Sequence, residues 1–179
     1  GSDYARDLII QADGKLVVAG SGTNDFAIAR YNADGSFDTS FANNGIAITD
    51  ISGSIDHAYD VAQQIDGKLV VAGNSYIDGD SDFVLLRYNT DGSLDTSFDN
   101  DGIVSTDISG SHDYARGLEI QPDGKLVVAG YSNNGGIYDV AIARYNTDGS
   151  LDNQFNLVNT LASPLRPAGT SVILDSDVQ

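Results

Sequence analysis

One nine-residue phrase occurs three times in this chain, and its spacing limits the folds that the chain can adopt. The copies read RYNADGSFD at 30–38, RYNTDGSLD at 87–95 and RYNTDGSLD at 144–152, so each starts 57 residues after the one before. A second phrase, DGKLVVAG, precedes each copy and starts at residues 13, 66 and 123. A repeat of this length predicts a stacked or radial array of like units.

Each repeat contains four segments with the patterning of short β-strands. In the first repeat we predict strands at 5–11, 15–21, 25–31 and 45–51, with counterparts in the later repeats. The Asp-Gly pair of the DGK phrase predicts a tight hairpin turn, because both residues tolerate positive φ. Only one of the 26 acidic residues is a glutamate. Aspartate favours turns and caps over helix interiors, so few helices are expected.

Four short antiparallel strands without an intervening helix are typical of a β-propeller blade. We therefore predict an all-β protein with three four-stranded blades at about 1–52, 53–109 and 110–158, followed by a linker and terminal strand at 159–179. Three blades leave two sheet faces uncovered, so pairing with a second copy into a six-bladed, two-fold symmetric ring is expected. The alternative is a pseudo-threefold β-trefoil or β-prism that closes on itself.

The charge and composition exclude some classes of partner. The net charge is −17, and all three lysines lie in the repeated DGK turns. Nucleic-acid binding is not expected, because neutralising phosphates requires clustered Lys and Arg. Membrane insertion is not expected either, since no apolar run approaches the roughly 18 residues that a membrane helix needs. The absence of cysteine, together with the aspartate bias, suits a secreted or cell-surface bacterial module stabilised by metal.

The repeated phrase N-x-D-G-S-x-D places side-chain oxygens at alternate positions around a glycine turn. Oxygens in this pattern are what a hard cation such as calcium requires. The same phrase is also an ordinary turn whose side chains bond their own backbone, and the residue pattern leaves both interpretations open. The candidate calcium ligands are Asn32, Asp34, Ser36 and Asp38, then Asn89, Asp91, Ser93 and Asp95, then Asn146, Asp148, Ser150 and Asp152.

Further aspartates recur outside these loops and are interpreted as structural. Asp25, Asp82 and Asp139 begin the third strand of each repeat, while Asp3, Asp56 and Asp113 precede the first strand. Asp50 and Asp107 follow the fourth strand of the first two repeats. We expect these acids to bind backbone amides or an arginine, since a guanidinium suits a partly buried carboxylate. The expected arginines are Arg30, Arg87 and Arg144.

The sequence does not indicate an enzyme. The two histidines, His57 and His112, do not recur between repeats and are expected at the surface. The chain has no nucleophile elbow, zinc-binding helix or phosphate-binding glycine loop. A glycosidase-like pair of carboxylates remains an alternative in so acidic a chain, although nothing distinguishes two acids from the rest. No catalytic residue and no organic cofactor is therefore predicted.

The combined phrases resemble a known repeat. The order D-x-A, Q-x-DGKLVVAG and D-F-x-x-x-RYN-x-DGS-x-D-x-SF, over about residues 1–155, is similar to the delta-60 repeat. That bacterial repeat of uncharacterised function is assigned a β-propeller fold. Residues 159–179, NTLASPLRPAGTSVILDSDVQ, resemble the linker and opening strand of a cadherin-like module. Such modules often follow these repeats in large bacterial surface adhesins.

The resemblance implies a non-catalytic structural or adhesion module of a secreted bacterial surface protein, with calcium as a possible stabilising ion. The alternative is a propeller that binds a glycan or a protein. Tyr76, Tyr131 and Tyr138 lie in or near the variable connection between the second and third strands, where they are placed to contact a sugar. The least favoured alternative is a glycan-active enzyme.

Overall fold

The computed structural model describes residues 3–108 and 110–155. Within these ranges the chain forms eleven β-strands and no helix, so it has no helix that could cross a membrane. The strands are β1 (Tyr4–Ile10), β2 (Leu16–Gly22), β3 (Asp25–Tyr31), β4 (Ile46–Thr49), β5 (Asp56–Gln63), β6 (Leu69–Ile77), β7 (Asp80–Tyr88), β8 (Ile103–Thr106), β9 (Asp113–Ile120), β10 (Leu126–Asn134) and β11 (Ile137–Tyr145).

The hairpin turns form as the sequence predicts. At the first DGK phrase, Gly14 has a φ of 84°, and its amide donates to the carbonyl oxygen of Gln11 at 2.9 Å. The Asp13 carboxylate accepts a bond from the amide of Lys15 at 3.1 Å, which fixes the turn from within. The predicted third strand matches β3, whereas the fourth strand is shorter than predicted at both ends. Local turn chemistry therefore sets the limits of the inner hairpin of each repeat.

The strands form three separate antiparallel sheets. The sheet orders are β1-β2-β3-β4, β5-β6-β7-β8 and β11-β10-β9. Almost every residue of β6 and β7 is buried, so the middle sheet is covered on both faces by its neighbours. In a trefoil or prism each sheet would keep one face in solvent, so that alternative is wrong. The sheets are the blades of a β-propeller, as predicted.

Two hydrophobic cores lie between the three blades. In the first, Val17, Phe26 and Ile28 of the first blade pack with Leu86 and Tyr88 of the second. The opposite face of the second blade forms the other core with the third blade, through residues such as Phe83, Leu85 and Val128. Each fully buried side chain of this size stabilises the fold by about 1.5–3 kcal/mol. Because successive side chains point to opposite faces of a strand, the central strands of the second blade contribute to both interfaces.

The first strands of the blades lie beside one another, since β5 contacts both β1 and β9. Each of them has a β-bulge, where the pairing register skips Arg6 in β1, Tyr59 in β5 and Arg116 in β9. A bulge redirects the side chain of the extra residue. These three side chains therefore interrupt the alternation on which the strand predictions depend.

In the third blade the described residues supply three strands. The predicted linker and terminal strand and the cadherin-like resemblance both fall on residues 159–179. Both predictions lie outside the described residues.

We expect Gly130→Ala to destabilise the protein by about 3 kcal/mol, because overpacking a tight site forces the backbone to move. Gly130 lies opposite the bulge, where a Cβ atom would collide with the carbonyl oxygen of Tyr114. The control is Gly117→Ala on the neighbouring strand, where the nearest atom, Asp60 Oδ2, is 3.9 Å away. Urea unfolding should show little effect of the control, and equal losses in the two variants would contradict the prediction.

Candidate functional site

The side chains of the repeated loops bond mainly to one another. Asp34 Oδ1 accepts bonds from the Ser36 amide at 2.9 Å and the Ser36 hydroxyl at 2.6 Å. Asn32 Nδ2 donates to Ser36 Oγ at 3.0 Å. The Ser36 bonds lower the pKa of Asp34 below its ordinary value, so this exposed carboxylate stays ionised. The equivalent bonds recur in the second and third loops, at Asn89, Asp91 and Ser93 and at Asn146, Asp148 and Ser150.

The fourth predicted ligand of each loop has other partners. Asp38 is buried, and its Oδ2 atom binds Lys15 Nζ at 2.8 Å and Arg30 Nε at 2.7 Å. Its Oδ1 atom accepts from the Ser40 hydroxyl at 2.6 Å. Asp95 and Asp152 make the same two-cation contact. The bonds from Lys15 and Ser40 hold the pKa of Asp38 far below its ordinary value. The negative charge of Asp38 is therefore already compensated by Lys15 and Arg30. Calcium binding at the loops stays a prediction.

The same arginines join one blade to the next. Arg30 Nη1 donates to the Thr90 carbonyl oxygen at 2.7 Å, and Arg87 Nη1 donates to that of Thr147 at 2.6 Å. The Arg30 guanidinium also lies 4.4 Å from the centre of the Phe41 ring. We call each set of lysine, aspartate and arginine a blade clasp. In the first two clasps the arginine also reaches a carbonyl of the next blade. The clasp combines an ion pair, a hydrogen bond and a cation–π contact.

The prediction that the recurring aspartates outside the loops bind backbone amides is confirmed for Asp50, Asp56, Asp107 and Asp113. The alternative, pairing with Arg30, Arg87 or Arg144, is wrong, because these arginines pair with Asp38, Asp95 and Asp152. Arg30 lies near the end of β3, whereas Asp25 lies at its beginning. Five residues of strand separate them by about 17 Å at 3.4 Å per residue, too far for an ion pair. Asp38 follows the strand after a tight turn and therefore reaches the arginine.

The strand-opening aspartates instead form two acidic clusters between blades. One carboxylate oxygen from each of Asp25, Asp50 and Asp56 lies within 4.8 Å of the others, and Asp82, Asp107 and Asp113 repeat this arrangement. Their recurrence was visible in the sequence, but only the tertiary structure shows that acids from adjacent repeats meet. Hydrogen bonds orient several members; for example, Asp56 Oδ2 accepts from the Ile51 amide at 2.9 Å.

Arginine and tyrosine side chains form a continuous surface across the first strands of the blades. The Arg6 guanidinium carbon lies 5.4 Å from the centre of the Tyr59 ring, and that of Arg116 lies 3.7 Å from the centre of the same ring. Arg116 Nη2 donates to the Tyr131 hydroxyl at 2.8 Å. We call this surface the inner face. It consists of Tyr4, Arg6, Tyr59, Tyr114, Arg116, Tyr131 and Tyr138.

The arginines of the inner face differ from the other lysines and arginines in their partners. Lys15, Lys68 and Lys125 and the three strand-ending arginines all take part in ion pairs. Among the residues that the structure describes, Arg6 and Arg116 are the lysines and arginines outside those pairs. Sequence reasoning missed this pair, because the bulges that redirect both residues leave little trace in the hydrophobic pattern.

A cleft of about 360 Å³ adjoins the inner face and is lined in part by His57, Asn74, Tyr76 and Tyr114. Asn74 is buried, and its Oδ1 atom has no hydrogen-bond partner. Burial, and then the positive charges of Arg6 and Arg116, lower the pKa of His57. Both histidines were expected at the surface, but they are half buried and hydrogen-bonded to neighbouring residues. The cleft therefore offers the Tyr76 and Tyr114 rings to a ligand, whereas the Asn74 Oδ1 atom is buried.

Two carboxylates link the blades beneath this surface. Asp7 Oδ2 accepts from the Val61 amide at 3.0 Å, and Asp60 Oδ2 accepts from the Leu118 amide at 2.8 Å. Burial raises the pKa of Asp60 to about 6, and the neighbouring Asp7 carboxyl adds to the shift. These bonds join successive first strands and hold the inner face together.

The fold and the blade clasps define a β-propeller repeat protein. The chain belongs to the DUF5122 β-propeller family, a domain of unknown function whose model matches residues 11–41, 64–98 and 121–155, more than half of the chain. Each match runs from a DGK turn to the loop that closes its clasp. The predicted repeat is thus confirmed as a propeller repeat. A comparison with curated proteins gives no match.

We expect Asp95→Asn to lower the free energy of unfolding by about 3 kcal/mol, because it leaves Arg87 and Lys68 without their carboxylate in a largely buried site. The side chains of Asp95 and Arg87 are 7% and 8% exposed. The control is Asp91→Asn in the exposed part of the same loop, where urea unfolding should show a loss below about 1 kcal/mol.

The pH dependence gives a second measurement of this clasp. Burial alone would raise the pKa of Asp95, but Lys68 and Ser97 outweigh it and hold the pKa well below the ordinary 3.8. The stability from this carboxylate is therefore complete above pH 3.8 and is lost as the pH falls further. The difference between wild type and Asp95→Asn should narrow below that pH. A constant difference would contradict the role of the charge.

Proposed function

We propose that this chain is a non-catalytic structural or adhesion module of a secreted or cell-surface bacterial protein. The observation that supports the proposal is that the recurring charged residues make contacts within and between the blades. Arg30, Arg87 and their aspartates hold one blade to the next. A catalytic site needs each group only once, whereas a structural contact recurs with the repeat. In this proposal calcium stabilises the module, and the loop oxygens are one candidate set of ligands.

The blade clasps also support association with a second copy. Arg144 has no blade beyond it among the described residues, and its Nη1 atom makes a long 3.4 Å bond to Gln121 Oε1 in place of a carbonyl of the next blade. The equivalent of Thr90 and Thr147 in the first blade is Ala33, whose carbonyl group is available to a partner in the same way. The third blade therefore carries a donor that the first blade of a second copy would satisfy.

The uncovered face of the first blade fits this interpretation. The pairing register places Val18, Ala29, Ala27 and Ile48 on that face, and Ile48 is 58% exposed. In the second blade the equivalents of Val18, Ala27 and Ala29, which are Val71, Val84 and Leu86, are fully buried in the first core, whereas the equivalent of Ile48 is the exposed Ser105. Two such contacts, each between a first blade and a third blade, would close a six-bladed ring with two-fold symmetry.

We expect light scattering to give about 37.6 kDa for the wild-type protein, twice the 18.8 kDa of one chain. Ile46→Asp should give the mass of one chain, because Ile46 lies on the uncovered face and its equivalent in the second blade, Ile103, packs against the first core. Ile65→Asp is the matched control, since Ile65 is fully exposed at a DGK turn. A wild-type mass of 18.8 kDa, or a control that dissociates equally, would contradict ring closure.

A second candidate function is recognition of a glycan at the inner face. Aromatic rings bind the apolar faces of sugars, and Tyr76 and Tyr114 line the cleft beside the inner face. Arg6 and Arg116 give this surface a positive charge within a chain of net charge −17. These features favour a sugar that carries a carboxylate, since guanidinium groups bind carboxylates strongly.

On a glycan array we expect the wild-type protein to bind acidic glycans in preference to neutral ones. Tyr114→Ala should weaken binding at least about tenfold, because one lost stacking contact near 1.4 kcal/mol corresponds to that factor. Ile65→Ala, at an exposed turn away from the inner face, should bind as wild type. Binding no higher than background for every glycan would leave the spacer function as the proposal.

A further inference from the structure

The acidic cluster between the second and third blades contains an unsatisfied group. Asp82 is 7% exposed, and its Oδ1 atom is buried without a hydrogen-bond partner. An ionised carboxylate in this state is costly, because burial removes its hydration and no donor replaces it. One oxygen from Asp82 lies within 4.8 Å of oxygens from Asp107 and Asp113. The surroundings therefore add negative charge where compensation is needed.

The neighbouring charged groups do not supply that compensation. The charged groups around Asp82 are the carboxylates of Asp80, Asp107, Asp113 and Asp78, and burial together with their negative charges raises its pKa. His112 is close in sequence, but its Nδ1 atom accepts a bond from the Ser81 amide at 3.0 Å. A ring nitrogen that accepts from an amide is not itself a donor, so His112 Nδ1 does not supply a hydrogen bond to Asp82.

The lysines and arginines are engaged elsewhere. In residues 3–108 and 110–155, each of them belongs to a blade clasp or to the inner face. The clasps follow the third strands, at the opposite end of β7 from Asp82. No lysine or arginine among the described residues therefore forms an ion pair with Asp82.

The cluster has the chemistry of a cation site. Asp107 Oδ1 accepts from the Gly110 amide at 2.5 Å, and Asp113 Oδ2 accepts from the Ile108 amide at 2.6 Å, so backbone bonds orient both carboxylates. A carboxylate oxygen that accepts one such bond retains a lone pair for a metal. The three oxygens lie within 4.8 Å of one another on separate segments, and calcium accepts such flexible coordination, whereas magnesium requires a near-ideal octahedron.

We propose that Asp82, Asp107 and Asp113 bind a calcium ion that bridges the second and third blades. Asp82 lies near the start of β7 and Asp107 directly follows β8, both in the second blade, whereas Asp113 begins β9 of the third blade. Asp107 is exposed, which leaves room for water to complete the six to eight ligands of calcium. The site differs from the repeated loops, and it does not depend on ring closure or on glycan binding.

Isothermal titration with calcium chloride near neutral pH tests the proposal on the whole chain. We expect wild type to bind calcium with a dissociation constant of roughly 10⁻⁴ to 10⁻³ M, as in extracellular modules, and Asp82→Asn to bind one ion fewer per chain or to bind it at least about tenfold more weakly. Asp66→Asn, at the exposed DGK turn of the second blade, is the matched control and should keep the ion bridging the blades.

Thermal unfolding in chelator separates a ligand from a structural residue. Asp82→Asn removes a buried charge that lacks a partner, so its melting temperature without calcium should equal or exceed that of wild type. Added calcium should raise the melting temperature of wild type more than that of the variant. The proposal is overturned if wild type binds no calcium up to about 10 mM, ten times the weaker end of the expected range. It is also overturned if Asp82→Asn binds calcium with unchanged stoichiometry and affinity.

Discussion

The blade clasp is the interaction on which the arrangement of the blades depends. Asp95 binds Lys68, from the hairpin turn of its own blade, and Arg87, from the end of the third strand. Arg87 then donates to the carbonyl of Thr147 in the next blade. A buried carboxylate with one cation removed would be costly, so the turn, the strand end and the neighbouring blade are fixed together. Hydrophobic burial supplies most of the stability, but the clasp sets how one blade meets another.

Concentrating the cations in the clasps leaves the two ends of the blades electrostatically different. The end with the DGK turns has its buried carboxylates compensated. At the other end, the buried Asp82 is in no ion pair with a lysine or arginine among the described residues. Compensation of the buried carboxylates is thus uneven, and Asp82 lies in the acidic cluster between two blades. An external cation would stabilise that interface more than it would stabilise any single blade.

The inner face departs from the repeat at the bulge position of the first strands. Tyr59 takes the bulge position that arginine takes in the first and third blades, so a tyrosine ring lies among two guanidinium groups. Exact repetition would have placed three arginines side by side and made them repel one another. The departure from the repeat creates a surface of alternating cation and aromatic ring. It is the part of the described structure where the three blades are least alike, which suits recognition better than architecture.

The sequence by itself determined the strands, the hairpin turns and the blade repeat, because these depend on the alternation of side chains and on glycine and aspartate at fixed positions. It also identified the recurring aspartates. The tertiary structure decided their partners: Asp38 is brought to Arg30 and Lys15, whereas Asp82 is brought to acids of the next repeat. The bulges that expose Arg6 and Arg116 were likewise decided by strand pairing. Partners across blades lie about 60 residues apart in the chain, as Arg30 and Thr90 do, and no local pattern encodes a contact at that separation.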